Sequence, residues 1–110
     1  MAAFSSIMDK IAGLKEILEL DPKNSFARYG LAMELASRGE TAAALAEFYT
    51  LLTNDPAYTA GYFMAAQTLS AAGRAQEAIA RLKTGIDSAT LSGNHHAVNE
   101  MQTMLEELER

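Results

Sequence analysis

The side chains best suited to acid–base or metal chemistry are two adjacent histidines near the carboxyl end of the chain. His95 and His96 are its only histidines, and Glu100 follows His96 at a spacing of one helical turn. An imidazole and a carboxylate placed this way can share a metal ion, but a protein metal site needs further ligands, and the sequence offers none nearby. We therefore expect a surface contact between His96 and Glu100, with no bound metal and no cofactor.

No other set of residues indicates catalysis. The chain contains no cysteine, which excludes disulfides, thiolate metal sites and a cysteine nucleophile. The serines lack a nucleophile elbow, and no glycine-rich loop is placed to hold a phosphate. The sequence therefore predicts that the protein is not an enzyme, with an enzyme of unknown chemistry as a remote alternative.

Composition and charge narrow the range of partners. The chain has 110 residues, of which 49% are hydrophobic, enough for one core and a single domain spanning residues 1–110. Its net charge is −5, whereas a nucleic-acid-binding surface is basic. The basic residues are scattered singly, no apolar run is long enough to cross a membrane, and the first residues do not resemble a secretory signal. We expect a cytoplasmic protein that contacts neither nucleic acid nor membrane.

Apolar residues recur at helical spacing along the whole chain, and turn residues interrupt them at regular intervals. The pair Asp21-Pro22 recurs as Asp55-Pro56. Residues between the two pairs recur at the same spacing, so that Ala66 follows Ala32 by as many residues as Asp55 follows Asp21. A period of this length indicates one supersecondary unit, here helix, turn and helix, that is used more than once. Such a unit cannot bury its apolar face alone and must pack against a neighbour.

The flanking segments extend the pattern of paired helices. Where a third Asp-Pro pair is expected the sequence has Ala89-Thr90, so the preceding helix should continue to about Leu91. Before the first pair, residues 7–22 are predicted to form a helix, with Ser6-x-x-Asp9 as a capping signal at its start. After the second, residues 94–109 are predicted to form an amphipathic helix with a polar outer side.

Two segments of the chain, residues 23–56 and residues 57–91, resemble repeats of the tetratricopeptide repeat family. The unit of that family is a pair of antiparallel helices with small and large apolar residues at fixed places. The first segment, residues 23–56, matches the family at Leu31, Ala32, Leu35, Gly39, Ala44, Phe48 and Pro56. The second segment, residues 57–91, matches at Tyr62, Ala66, Leu69, Gly73, Ala78 and Leu82. Arg28 stands where the family favours tryptophan, and Gly85 and Thr90 also depart from its pattern.

This resemblance implies an all-α fold, a right-handed solenoid of antiparallel helix pairs with about five to six helices. Residues 7–22 are then a half repeat or cap before the two full repeats, and residues 94–109 are a capping helix after them. The chain as a whole also resembles small stand-alone bacterial proteins of this family.

In this family the first helix of each repeat lines a concave face, so the resemblance implies an interaction module or scaffold that binds a peptide or helix of a partner protein. It places the peptide-binding groove at Phe26, Tyr29, Met33, Phe63, Gln67 and Met101, with Ala60 and Asn94 beside them. An apolar groove that contains methionine suits an amphipathic helix or an extended apolar peptide. The alternative is that the aromatic residues belong to the ordinary core.

Some family members bind a carboxylate on this face through lysine, asparagine and arginine, but the corresponding positions here hold Tyr29, Met33 and Met64. We therefore do not expect a carboxylate clamp, and the nearby Glu34 should repel such a ligand. Self-association is a second interpretation of the same apolar surface. We expect a monomer or a weakly associating dimer, because the polar outer sides of the first and last helices argue against end-to-end stacking.

Overall fold

The computed structural model describes the backbone of residues 2–110 and the side chains of residues 10–110. Over residues 2–110 it contains six helices and no strand. These are α1 (Ala2–Leu20), α2 (Ser25–Ser37), α3 (Thr41–Asn54), α4 (Thr59–Ala71), α5 (Ala75–Leu91) and α6 (His95–Glu109). The all-α class predicted from the periodicity is confirmed.

The described chain divides into two compact units, Met1–Asn54 and Asp55–Arg110. In unit 1, α2 packs mainly against α3 and also against α1. In unit 2, α5 packs against both α4 and α6, and α4 also meets α6. Each unit therefore consists of one helix pair with one additional helix.

Three glycines end the helices that precede the tight turns. Gly39, Gly73 and Gly93 have φ values of 78°, 78° and 71°. Glycine adopts this left-handed region without the steric cost that a Cβ imposes. The residue after each glycine then donates its amide hydrogen back to the helix, as in the 3.0 Å bond from the Glu40 N–H to the Leu35 carbonyl. The chain is thus reversed within a few residues and the next helix can start at once.

Asparagine side chains cap two of the helix starts. The Asn24 side chain accepts a hydrogen bond from the Ala27 N–H at 2.9 Å, and the Asn94 side chain accepts one from the Ala97 N–H at 3.1 Å. Each bond satisfies an amide that has no partner within its helix. The start predicted for the first helix is wrong, because α1 begins at Ala2, before the proposed cap at Ser6. The apolar and capping side chains predicted there, Phe4, Ser6, Ile7, Met8 and Asp9, lie outside the described side chains.

Small residues lie where the paired helices cross most closely. Ala32 and Ala44 in unit 1, and Ala66 and Ala78 in unit 2, have 0% exposed surface. A larger side chain at any of these sites would overpack the crossing, at a cost of about 1–3 kcal/mol. The larger core residues fill the space around them, namely Leu31, Leu35, Phe48 and Leu51 in unit 1 and Tyr62, Leu69, Leu82 and Met101 in unit 2. Among the described residues no polar or charged side chain is fully buried.

Candidate protein-binding faces

Three apolar side chains on α2 form the surface that we call the α2 face. Phe26 is 80% exposed, and Tyr29 and Met33 are half-buried. Their spacing of three and four residues places them in one row along the helix. The core residues Leu31 and Leu35 lie on the opposite side of α2, and of the three residues in the row Phe26 is the one left in solvent.

The Tyr29 ring is held by the core. It meets the buried Phe48 ring of α3 edge to face, with the ring centroids 6.4 Å apart and the planes at 66°. This geometry is the one that aromatic pairs prefer, because the positive edge of one ring faces the negative face of the other. Tyr29 therefore presents a positioned, half-exposed aromatic surface at the middle of the α2 face.

The acidic residue beside the α2 face is compensated. The Glu34 carboxylate pairs with Lys10 Nζ at 3.1 Å and with Arg38 Nε at 3.3 Å. The hydrogen bond to Lys10 is the main cause that holds the pKa of Glu34 below its usual range. The expected repulsion of anionic ligands by Glu34 is therefore weakened by two adjacent cations.

The corresponding row on α4, which we call the α4 face, is less aromatic. Phe63 is half-buried, while Ala60 and Gln67 are exposed. Ala60 occupies the place that Phe26 has in the preceding repeat, so the most exposed aromatic residue among the described side chains of unit 1 has no counterpart in unit 2. The α4 face thus offers one aromatic ring and one amide, which can both donate and accept hydrogen bonds.

Met101 does not belong to an exposed face, so its prediction as a groove residue is wrong. Its side chain has 0% exposed surface. A Cβ added at Gly85 would lie 2.6 Å from Met101 Sδ and 2.6 Å from Tyr62 Cβ. Met101 is therefore a core residue of unit 2, packed where α5 comes closest to α4 and α6.

The error in placing Met101 comes from a change of repeat length. The helix cap Tyr58 follows the cap Asn24 at the same offset as the Asp-Pro pairs, but Asn94 follows Tyr58 at an offset two positions longer. With the longer offset, Met101 aligns with the buried Ala65 and no longer with Gln67. The residues of α6 that align with Phe63 and Gln67 are Asn99 and Thr103, and both are exposed.

The longer offset follows from the length of α5. This helix has 17 residues, whereas α3 has 14, because Ala89-Thr90 replaces the Asp-Pro pair that stops α3. The turn after α5 is one residue shorter than the turn after α3, which leaves a net shift of two. The asparagine at position 94 is the sequence signal for the new start. Its side chain caps α6, so Asn94 corresponds to the caps Asn24 and Tyr58 and not to the rows on α2 and α4.

Arg28 and Tyr62, at equivalent positions of the two units, hold the turn that precedes their helix. Arg28 Nη2 donates a hydrogen bond to the Pro22 carbonyl at 2.8 Å, and the Tyr62 hydroxyl donates one to the Pro56 carbonyl at 2.7 Å. Arg28 Nη1 also pairs with Glu47 Oε1 at 2.6 Å. Burial is the main cause that raises the pKa of the Tyr62 hydroxyl, which therefore stays protonated and able to donate.

The two histidines remain at the surface. His96 Nε2 lies 3.5 Å from Glu100 Oε1, and both side chains are exposed. Within the part of the chain that the structure describes, no three histidine, cysteine, aspartate or glutamate side chains converge on a position that could hold a metal ion. Nor does any described helix combine the length and the apolar character needed to cross a bilayer.

Comparison with known proteins decides the family. The sequence profile of the tetratricopeptide repeat matches residues 35–98, which is more than half of the chain. This chain belongs to the tetratricopeptide repeat (TPR) family. A TPR repeat-containing protein of Pseudomonas aeruginosa is 28% identical over 100 residues, which cover 91% of this TPR protein and 95% of that one.

Solved structures show the same TPR fold. A tetratricopeptide repeat domain protein from Salinibacter ruber is 30% identical, with a TM-score of 0.76 over 81% of this chain and 90% of that one. PcrH, in complex with the chaperone-binding region of PopD, is 17% identical, with a TM-score of 0.86 over 98% of this chain and 82% of PcrH. The all-α fold of paired helices predicted from the resemblance is confirmed.

Proposed function

We propose that this TPR protein is a non-enzymatic interaction module of the cytoplasm that binds apolar segments of other proteins through the α2 face of unit 1 and through the α4 face of unit 2, each face taken by itself. The observation that carries the proposal is the exposure of Phe26, 80%, at the start of a row that continues through Tyr29 and Met33. A contiguous apolar surface on a protein marks an interaction site more often than a single exposed side chain does.

The chemistry of the α2 face suits an aliphatic or aromatic partner. Tyr29 is held in place by Phe48, so little conformational entropy is lost when a ligand covers its ring. Met33 is flexible and polarisable, which lets it follow an irregular surface. A partner segment with apolar residues at helical or extended spacing can therefore contact the whole row.

Related proteins support this type of function without identifying the partner. The structure of PcrH contains the chaperone-binding region of PopD. PcrH shares the fold of this chain at 17% identity, so it supports a polypeptide ligand only as a class. The amino acids that would recognise the ligand are this chain's own.

Self-association is a second candidate, favoured by the end of α1. Ile17 and Leu20 lie one turn apart there, and they are 44% and 90% exposed. A second copy could cover them, which would produce a dimer whose population rises with protein concentration. Light scattering over a concentration series measures this directly, and a constant mass would exclude it.

The proposed function is tested with a matched pair of aromatic substitutions. A partner captured from the native cell is identified and then titrated against the wild type, Phe26→Ala and Tyr49→Ala. Tyr49 is the control, because it is an exposed aromatic residue of α3 outside the α2 and α4 faces. We expect Phe26→Ala to weaken binding by more than about fivefold, as a central apolar anchor does, and Tyr49→Ala to leave it unchanged. Equal effects of the two variants would overturn the proposal.

A further inference from the structure

Unit 2 contains a pocket that lies outside the α4 face. It has a volume of about 450 Å³ and lies between the turn before α4 and the carboxyl end of α5. Pro56 and Ala57 line it from the turn, Tyr62 from the inner side of α4, and Asp87 and Leu91 from α5. Its size falls within the range of protein ligand pockets.

One wall of the pocket exists because α5 is longer than α3. By the offset of the Asp-Pro pairs, the residue of α5 that corresponds to Asn54, the last residue of α3, is Ser88. Leu91 and Ser92 lie beyond that point and both line the pocket. The departure from the repeat pattern at Ala89-Thr90 therefore builds a surface that unit 1 has no residues to form.

The floor of the pocket is preformed and apolar. The Pro56 carbonyl accepts hydrogen bonds from the Tyr62 hydroxyl at 2.7 Å and from Ser88 Oγ at 2.8 Å. These two bonds occupy both lone pairs of the carbonyl and fix the turn against α4 and α5. What remains for a ligand is the proline ring, the Ala57 methyl group and the Leu91 side chain, which is 90% exposed.

The end of the pocket near Leu91 is electronegative. No lysine, arginine or histidine lines the pocket, and Asp87 forms no ion pair among residues 10–110. The carboxyl end of α5 adds the partial negative charge of a helix terminus. Lys83, one helical turn before Asp87, pairs with Glu109 at 3.8 Å. Arg81, whose charge acts on Tyr62, lies ten residues before Leu91, about 15 Å along the helix. A cation is therefore favoured at the Leu91 end.

We propose that this pocket docks an aliphatic side chain of a partner protein's segment, with an adjacent lysine or arginine held by Asp87 and the carboxyl end of α5. Apolar contact with Pro56, Ala57 and Leu91 supplies the binding energy, and the charge fixes the orientation. The site is separate from the α2 and α4 faces and does not rest on the function proposed for them.

The test uses the isotope-labelled full chain and three capped tripeptides, followed by heteronuclear NMR. The probes are acetyl-Leu-Leu-Lys-amide, acetyl-Leu-Leu-Glu-amide and acetyl-Ala-Ala-Lys-amide. We expect the first to shift the backbone signals of Ala57, Leu91 and Ser92 in a saturable way. The glutamate peptide should bind about twofold to fivefold more weakly, as expected for loss of an exposed charge pair, and the alanine peptide more weakly still.

A variant in the pocket and a control outside it assign the effect to the pocket. Leu91→Ser should weaken the binding of the lysine peptide by about tenfold or more, since an aliphatic contact is lost. Tyr49→Ser is the control, because Tyr49 is also a large exposed side chain and lies on α3, outside this pocket. Asp87→Asn should reduce the preference for the lysine peptide over the glutamate peptide, leaving only the part that the carboxyl end of α5 supplies.

Three results would overturn the proposal. The first is an equal response to all three peptides, and the second is binding that Leu91→Ser leaves unchanged. The third is a set of shifts at Ala57 and Leu91 that grows with protein concentration when no peptide is present, which would assign the pocket to a second copy of the chain.

Discussion

The two units share a helix-pair plan but hold the turn before it by different chemistry. In unit 1 the guanidinium of Arg28 reaches the Pro22 carbonyl and pairs with Glu47, and the two side chains are 16% and 26% exposed. In unit 2 the phenol of Tyr62 reaches the Pro56 carbonyl from a buried ring. The same backbone group is thus satisfied once by a charged side chain and once by an aromatic one.

The Tyr62 ring of unit 2 requires space on the neighbouring helix that the Arg28 side chain of unit 1 does not. Gly85 of α5 lies against Tyr62 and Met101, and the residue of unit 1 at the corresponding place is Leu51, which is buried. A large ring on α4 is therefore matched by the absence of a side chain on α5. Equivalent positions in the two repeats thus bond the same backbone group with side chains of different volume and charge. The neighbouring residues differ in a way that compensates.

The largest expected effect separates the two methionines that a strict repeat count would make equivalent. Met101→Ala should lower the free energy of unfolding by about 2–5 kcal/mol, because it empties a fully buried site. Met33→Ala should cost less than about 1 kcal/mol, since that side chain is half-buried on the α2 face. Urea denaturation of both variants measures the difference. If Met101→Ala were as mild as Met33→Ala, the register assigned to α6 would be wrong.

The next effect concerns the space beside Tyr62. Gly85→Ala should destabilise the protein by about 1–3 kcal/mol, because a Cβ there meets the rigid Cβ of Tyr62. Gly13→Ala is the control, since Gly13 also lies within a helix but has nothing within 4 Å of an added Cβ. Alanine there should be neutral or stabilise by up to about 1 kcal/mol. Thermal melts compare the pair, and a stable Gly85→Ala variant would contradict the close approach.

A third effect compares the hydrogen bond that Arg28 donates to a proline carbonyl with the one that Tyr62 donates. Tyr62→Phe removes one hydrogen bond to a proline carbonyl, at a cost of about 0.5–1.5 kcal/mol, whereas Arg28→Met removes such a bond together with the ion pair to Glu47 and should cost more. The cost of Arg28→Met should shrink in about 1 M salt, because salt screens the ion pair with Glu47, while that of Tyr62→Phe should not change. Denaturation curves at two salt concentrations give the answer. The same salt dependence for both variants would refute the distinction.

The smallest effect is a pH dependence that comes from the ion pairs of one glutamate in each unit. Glu34 in unit 1 and Glu77 in unit 2 both have a pKa below the ordinary value of 4.5, chiefly through hydrogen bonds to Lys10 and Arg74. A lowered folded-state pKa stabilises the fold above 4.5, and that contribution is lost as the pH falls through the folded-state pKa. The melting temperature should therefore decline below about pH 4.5 slightly less for Glu77→Gln than for the wild type. Parallel curves for the two proteins would show that Glu77 does not contribute to the pH dependence of stability.

The helix pairs could be predicted from the sequence because their signals are local and repeated. Asp-Pro pairs, glycines in the turns and apolar spacing all depend on a few neighbouring residues. The burial of Met101 could not be predicted by applying the repeat offset. The register of α6 depends on where α5 ends and where Asn94 starts the next helix, and both positions differ from the first repeat. The departures at Arg28 and Gly85 were visible in the sequence. Their partners Pro22, Glu47 and Tyr62 follow only from three-dimensional contacts.

The exposure of the α2 face shows a second limit. A helical row such as Phe26, Tyr29 and Met33 has the same spacing whether it faces a core or a ligand. Only the packing of α2 against α1 and α3 shows that Phe26 remains in solvent while Leu31 does not. The sequence could therefore name the row but not its environment.

The most direct test of the interaction function is a paired melt and titration of Phe63→Ala, the half-buried aromatic residue at the centre of the α4 face. If Phe63 contacts a ligand, binding to the identified partner should weaken by more than about fivefold, while the free energy of unfolding changes by less than about 1 kcal/mol. A loss of about 3–5 kcal/mol in the free energy of unfolding is the cost of emptying a core phenylalanine site. That result would show that Phe63 is packing and would contradict the proposed binding face at its centre.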